Sequence, residues 1–233
     1  MRVLAAVVRK DLASLWTSPL PWVAGAAFQA VLGLLVVDQL AARQQAVVQP
    51  LFPIAGLLLV ITVPVVTMRA LAEEARSGSL DLLLVVPVPS GPLVVAKWLA
   101  SWLTTLALVA PAVLYAGLAA LWGDPDTGPV VTGFLGLALL TAALTGLGVL
   151  ASSTTANPAV AGLGGVMAGL ALWFAGAATG GAGTGLLASL SLSERLRTFA
   201  AGAVDTGDLA FLAALVAASL VAATTVLDAR RLR

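Results

Sequence analysis

The sequence reads as an all-α membrane protein with six transmembrane helices. Three observations lead there. The 233-residue chain is 60% hydrophobic, 10% charged and has mean hydropathy +1.05, whereas a soluble domain is nearer half apolar and about a quarter charged. Its apolar residues fall into runs that match the roughly 20 residues a helix needs to cross a bilayer. Lys and Arg gather on alternate connections between those runs, as expected when basic residues stay in the cytoplasm.

The spans are expected at about Pro21–Val37, Leu51–Met68, Leu93–Trp122, Val131–Ala151, Ala159–Ala178 and Leu209–Leu227. The third is long enough to begin below the membrane and to tilt. The fourth and fifth share one uncharged run, and the division is placed at "SSTTANPA", where Pro158 ends one helix or opens the next. With the N-terminus and C-terminus inside, the inner segments hold Arg2, Arg9, Lys10, Arg69, Arg76, Lys97, Arg230, Arg231 and Arg233, against Arg43, Arg195 and Arg197 outside. Trp16, Trp22, Trp98, Trp102 and Trp122 lie near span ends, where an apolar ring with one N–H is well placed.

Composition excludes several chemistries. Without Cys or His there are no disulfides, no thiolate or imidazole zinc site, no thiolate nucleophile, no imidazole base and no usual haem ligand. The net charge of +1 offers nothing to a nucleic acid. No charged residue falls in the middle of a span, which argues against a carrier driven through a buried carboxylate. The N-terminal apolar run is short and closed by Arg9, Lys10 and Asp11, unlike a signal peptide.

Four segments have more specific patterning. In residues 1–19, Leu4, Val7, Val8, Leu12, Leu15 and Trp16 recur at helical spacing, with Arg2, Arg9 and Lys10 on a basic edge. This is an amphipathic interface helix, broken by Pro19 and Pro21, that either holds a partner near the membrane or anchors to anionic lipid. In residues 69–92, the second span is expected to continue as helix through "MRALAEEARS". Arg69–Glu73 and Glu73–Arg76 pair at helical spacing, while Glu74 has no intrahelical partner because position 78 is Gly. Gly78 fits a helix terminator, Ser79 a cap, and Asp81 the first turn of a short leucine-rich helix stopped by Pro87 and Pro89. Ser90 then caps the third span, with Pro92 in its first turn and Lys97 snorkelling at the interface. A leucine-rich helix outside the bilayer packs on the chain's own helix ends, on the membrane surface or on another protein.

Third, Ala161, Gly165 and Gly169, and likewise Ala142 and Gly146, form small-residue ridges suited to close packing within the subunit or at a dimer seam. Fourth, in the outer connector 179–208, Leu186, Leu187, Leu190, Leu196 and Phe199 lie along one side, with Glu194, Arg195 and Arg197 toward water. Ser193 is expected to cap this helix, and Asp205 or Asp208 to cap the last span. The helix guards an exit or lies on the membrane surface.

The run "MRALAEEARSGSLDLLLVVPV" resembles the coupling signature of type-2 ATP-binding-cassette (ABC) transporter permeases, closest to the gliding-motility and multidrug-export subgroup. "RKDLASLWTSPLPWV", "GLGVLASSTTANPAVAG" and "RTFAAGAVDTGDLAFL" resemble other segments of that subgroup in order, so the likeness covers nearly the whole chain, with Ser79 where Thr is more usual. The resemblance implies a single permease domain over 1–233, in the inner or plasma membrane. It implies pairing with a second permease subunit, as homo- or heterodimer, and docking of a cytosolic ABC ATPase through a coupling helix between spans two and three. Arg69, Glu73, Glu74, Arg76, Gly78, Ser79 and Asp81 would form that ATPase-coupling interface, with Glu74 offering a salt link to the ATPase. ATP and Mg would belong to the partner. No G-x-x-x-x-G-K-[ST] loop is present to cradle phosphates, and "GGAGTG" lacks the lysine. The chain is therefore expected not to be an enzyme. Thr104, Thr105, Thr141 and Thr145 among Leu, Val, Ala and Gly admit a lipid, drug or other amphiphile without naming a substrate site. The competing reading is a membrane scaffold that recruits a cytosolic partner by the same loop; a secondary carrier ranks third.

Overall fold

The computed structural model describes residues 2–43, 48–78, 89–120, 126–177 and 189–231, and among them every regular element is a helix. In chain order these are α1 (Arg2–Thr17), α2 (Pro19–Arg43), α3 (Leu51–Thr67), α4 (Ala72–Arg76), α5 (Ser90–Val109), α6 (Val113–Ala119), α7 (Thr127–Thr154), α8 (Pro158–Trp173), α9 (Leu192–Ala200) and α10 (Thr206–Arg231). A 3₁₀ turn, Ala110–Ala112, joins α5 to α6.

Helix boundaries follow local chemistry. Asp126 accepts from Gly128 N at 3.1 Å to cap α7, and Asn157 accepts from Ala159 N at 3.0 Å to cap α8. Pro158 therefore opens the fifth span rather than ending the fourth. Asp205 accepts from Gly207 N at 2.9 Å, so it caps the last span, and Asp208 serves elsewhere. Ser191, not Ser193, caps α9, accepting from Glu194 N at 3.4 Å. Ser90 is the first helical residue of α5, and Pro89 occupies the cap.

Among the described residues, five helices are long and apolar enough to cross a membrane: α2, α3 with its extension, α5 with α6, α7 and α10. The fifth expected span, α8, has 16 residues, below the roughly 20 a full crossing needs. Its last turn ends inside the protein, where Ser193 Oγ donates to Trp173 O at 2.9 Å. The third span is not one straight helix. Pro111 has no N–H and tightens the chain into the 3₁₀ turn, and Gln29 Nε2 of α2 donates to Leu108 O at 2.8 Å beside it.

α7 is the central helix, packed by α3, α5, α8, α9 and α10, while α2 and α10 lie at the rim. The core interleaves Phe52, Leu59 and Val63 of α3 with Leu137, Leu140 and Leu144 of α7, closed by Leu196 and Phe199 of α9. Both small-residue ridges are used within the chain. Ala161 is buried, Gly165 and Gly169 face Pro64 and Val60 of α3, and Gly146 faces Ser219 of α10. Trp98 and Trp102 stack with centroids 5.3 Å apart and donate to the Ala142 and Ala138 carbonyls of α7 at 3.0 and 3.1 Å. Trp16 and Trp22 remain half exposed, edge to face, as membrane-surface anchors would be.

Candidate functional site

The functional segment read from the sequence begins where α3 ends. The expected continuous helix through "MRALAEEARS" is interrupted: α3 stops at Thr67, residues 68–71 turn, and α4 restarts at Ala72. Nothing in Met68–Leu71 disfavours helix. The cause lies on another element. Ser152 Oγ of α7 accepts from Leu71 N at 3.0 Å and from Ala72 N at 2.9 Å, and donates to Met68 O at 3.1 Å. A hydroxyl offers one donor and two acceptor lone pairs, so Ser152 uses its whole capacity. It replaces intrahelical bonds that the break removes and caps α4 from outside. Gly148 makes the approach possible, since a Cβ there would stand 2.0 Å from Thr67 Oγ1. Sequence reasoning missed Ser152, although "SSTT" was visible at the end of the fourth span.

On α4, Glu73 and Arg76 are exposed and Glu74 turns inward. Arg69 Nε lies 3.4 Å from Glu73 Oε2, the i,i+4 pair expected, with both side chains about half exposed. Its contribution is therefore small. α4 ends with Ser77 N donating to Glu73 O at 2.9 Å, and Gly78 follows at φ +73°, the left-handed conformation that closes a helix. Ser79 and Asp81, with the leucine-rich helix, lie outside the described residues.

Glu74 finds charge partners across helices. Its Oε1 is 2.9 Å from Lys97 Nζ of α5 and 3.6 Å from Lys10 Nζ of α1, and Lys97 Nζ is 3.4 Å from Asp11 Oδ2 of α1. Side-chain exposure is 4% for Lys97, 13% for Asp11 and 17% for Glu74. Lys97 does not snorkel as expected, because two carboxylates meet its ammonium inside the protein. Glu74 is turned inward, its charge matched within the chain, as burial requires. The interface helix α1 packs along α5, with Arg9 and Lys10 on its exposed side; Arg2 begins it. Four charges thus join α1, α4 and α5, while Ser152 joins α4 to α7.

The opposite end carries a second buried pair. Arg195 of α9 bonds Asp208 of α10 and Ser189 O, and its guanidinium lies 3.8 Å from the Phe211 ring centroid. Arg195 is thus turned inward, not toward water, while Glu194 and Arg197 are exposed. Leu192, Leu196 and Phe199 are buried against α3 and α7, and Thr132 Oγ1 donates to Phe199 O at 2.6 Å. α9 is therefore built into the bundle rather than laid on its surface. The Gly-rich stretch and Leu186–Leu187 lie outside the described residues.

Comparison with known proteins agrees with this architecture. The family model described as ABC-2 family transporter protein matches residues 33–200, from the later part of α2 to the end of α9. No curated protein matches the chain. A match over well over half the chain, on a bundle of membrane-crossing helices, makes this a multi-pass membrane protein and a permease subunit of an ABC transporter: the chain belongs to the ABC-2 family.

Proposed function

We propose that this permease is the membrane half of an exporter in the inner or plasma membrane, driven by ATP hydrolysed with Mg on a separate cytosolic ATPase. The family to which it belongs normally works with such a subunit. In this reading α8 is a short sixth crossing that ends against α9, so both termini face the cytoplasm and residues 69–92 form the inner loop. That loop is the coupling segment, with Arg69 in the turn before α4, Glu73 and Arg76 on it and Gly78 after it, leading into Ser79 and Asp81. Two permease subunits, identical or different, enclose the path, and the substrate is a lipid, drug or other amphiphile.

One observation carries the reading: α4 is clamped to three helices of the bundle at once, two of them membrane-crossing. A force applied to residues 79–88 enters through α4. It reaches α1 and α5 through Glu74, Lys97 and Asp11, and α7 through Ser152. A solvated loop has no need of such ties, whereas a lever between motor and membrane does. Coupling needs a physically continuous element that both sites bias.

The test isolates the complex from native membranes and measures its ATPase activity and ATP-dependent uptake by inverted vesicles. Wild type should retain a companion that hydrolyses ATP and should move substrate. Arg76→Glu, which reverses an exposed charge on α4, should lose both. A companion that stays bound with no ATP-dependent transport of any co-purified amphiphile would favour the scaffold reading instead. A cysteine at 76 labelled only from the extracytoplasmic side would overturn the topology.

A further inference from the structure

Beside the buried charge network lies a cleft of about 260 Å³ between α1, α2, α3, α4 and α5. Asp11, Glu73 and Glu74 face it together with Arg69 and Lys97, so the charged lining has one more carboxylate than cation. At its floor Ser101 is buried, and its hydroxyl donates to nothing among the described residues. Leu20 and Val66 form its apolar side, and Leu20 is shared with a second space. That space is a groove of about 310 Å³ along the seam of α2 and α3, lined by Val23, Ala27, Phe28, Ile61 and Val65 among others. Its hydroxyl, Thr62, is turned back onto Leu58 O at 2.9 Å, so the wall is effectively hydrocarbon. From Leu20 to Val31 the groove follows α2 for about 16 Å at the α-helical rise, about half of the ~30 Å hydrocarbon core. A charged cleft thus adjoins, at Leu20, an apolar groove one leaflet deep.

We infer that cleft and groove together hold one membrane lipid with an amine-bearing head, a phosphatidylethanolamine-type molecule of the leaflet at this end. The protonated amine is met by Asp11 and Glu73, the phosphate by the Arg69 guanidinium, whose planar fork suits phosphate oxygens. Ser101 supplies a further hydrogen bond, and an acyl chain fills the groove. A purely anionic head carries the phosphate charge with no ammonium to offset it against three carboxylates and is disfavoured. A soluble amine leaves the groove empty. The site needs no ATPase, so its failure would leave the coupling reading untouched.

The full chain, purified in mild detergent and offered equal amounts of phosphatidylethanolamine and phosphatidylglycerol with the same acyl chains, should retain the first about tenfold over the second by native mass spectrometry, the ratio set by about 1.4 kcal/mol. Two exposed positions give variants that should fold. Glu73→Lys changes the charged lining from one excess carboxylate to one excess cation and should abolish or reverse the preference. Ala27→Trp fills the groove and should reduce retention of both lipids. Equal retention of the two lipids by wild type would overturn the proposal, as would retention untouched by Ala27→Trp, which is the behaviour of annular lipid. Displacement of the bound lipid by equimolar glycerophosphoethanolamine, which has the head and no chains, would also overturn it.

Discussion

Lys97 Nζ and Glu74 Oε1 lie 2.9 Å apart, joining the start of the third span to the short helix that follows the second. With Asp11 at 3.4 Å, the ammonium sits between two carboxylates in an almost closed setting. A buried ion set of this kind is expensive to break from one side, because removing one member strands the others.

Lys97→Met should therefore destabilise the chain by about 3–5 kcal/mol. Lys97→Met combined with Glu74→Gln should cost less than the sum of the single changes, because the stranded carboxylate goes with its partner. Unfolding in mixed micelles, followed as a double-mutant cycle, measures the coupling. Strict additivity would mean that the two groups do not interact.

Ser152→Ala should release the break between α3 and α4. Two backbone N–H groups lose their acceptor, at about 1–3 kcal/mol for each buried donor left unmade. Amide exchange at Leu71 and Ala72 should accelerate selectively, with little change at Val149 one turn back on α7. Unchanged exchange at 71 and 72 would refute the cap.

Gln29→Leu should cost about 1–3 kcal/mol by orphaning the Leu108 carbonyl in an apolar setting. The cost belongs to the Pro111 turn and not to Gln29 itself. Pro111→Ala, which lets α5 run through as α-helix so that Ala112 N can reach Leu108 O, should recover part of it in the double variant. Recovery is read from thermal melting of the detergent-solubilised protein.

Arg195→Met should free α9 at the far end, because Asp208 loses its charge partner and Phe211 its cation. Exchange across Leu192–Ala200 should rise while the core of α7 stays protected. Asp208→Asn should produce the same pattern more weakly, since the amide still offers an oxygen to Arg195.

Much of the fold is legible in the residues. Gly78 stands where a helix must close with φ above zero, and α8 opens at Pro158, inside the turn-forming cluster. Asp126 and Asn157 cap by equally local chemistry, each oxygen accepting from the N–H two residues on, yet sequence reasoning missed both. The α8 boundary is harder. Its apolar run continues past Trp173, and only the hydrogen bond from Ser193 shows where the helix finishes. The charged segment was legible as a cluster, not as a circuit. Spacing pairs Arg69 with Glu73 because both lie on one helix surface. It is silent on Glu74, whose partners come from α1 and α5.

From the sequence alone, solvent and class are determined: so few charges cannot cover a water-facing surface, and runs of about 20 apolar residues must be helices because lipid satisfies no backbone group. Some helix boundaries follow too, such as those at Gly78 and Asp205, since their chemistry is local, whereas the caps of α5 and α9 fall at Pro89 and Ser191 rather than at Ser90 and Ser193. The inward turn of Glu74, the burial of Lys97, the burial of Arg195 beside Phe211 and the break at residues 68–71 were decided only by tertiary structure. Each depends on a donor, acceptor or ring brought from a distant part of the chain, and no spacing within one helix encodes that meeting.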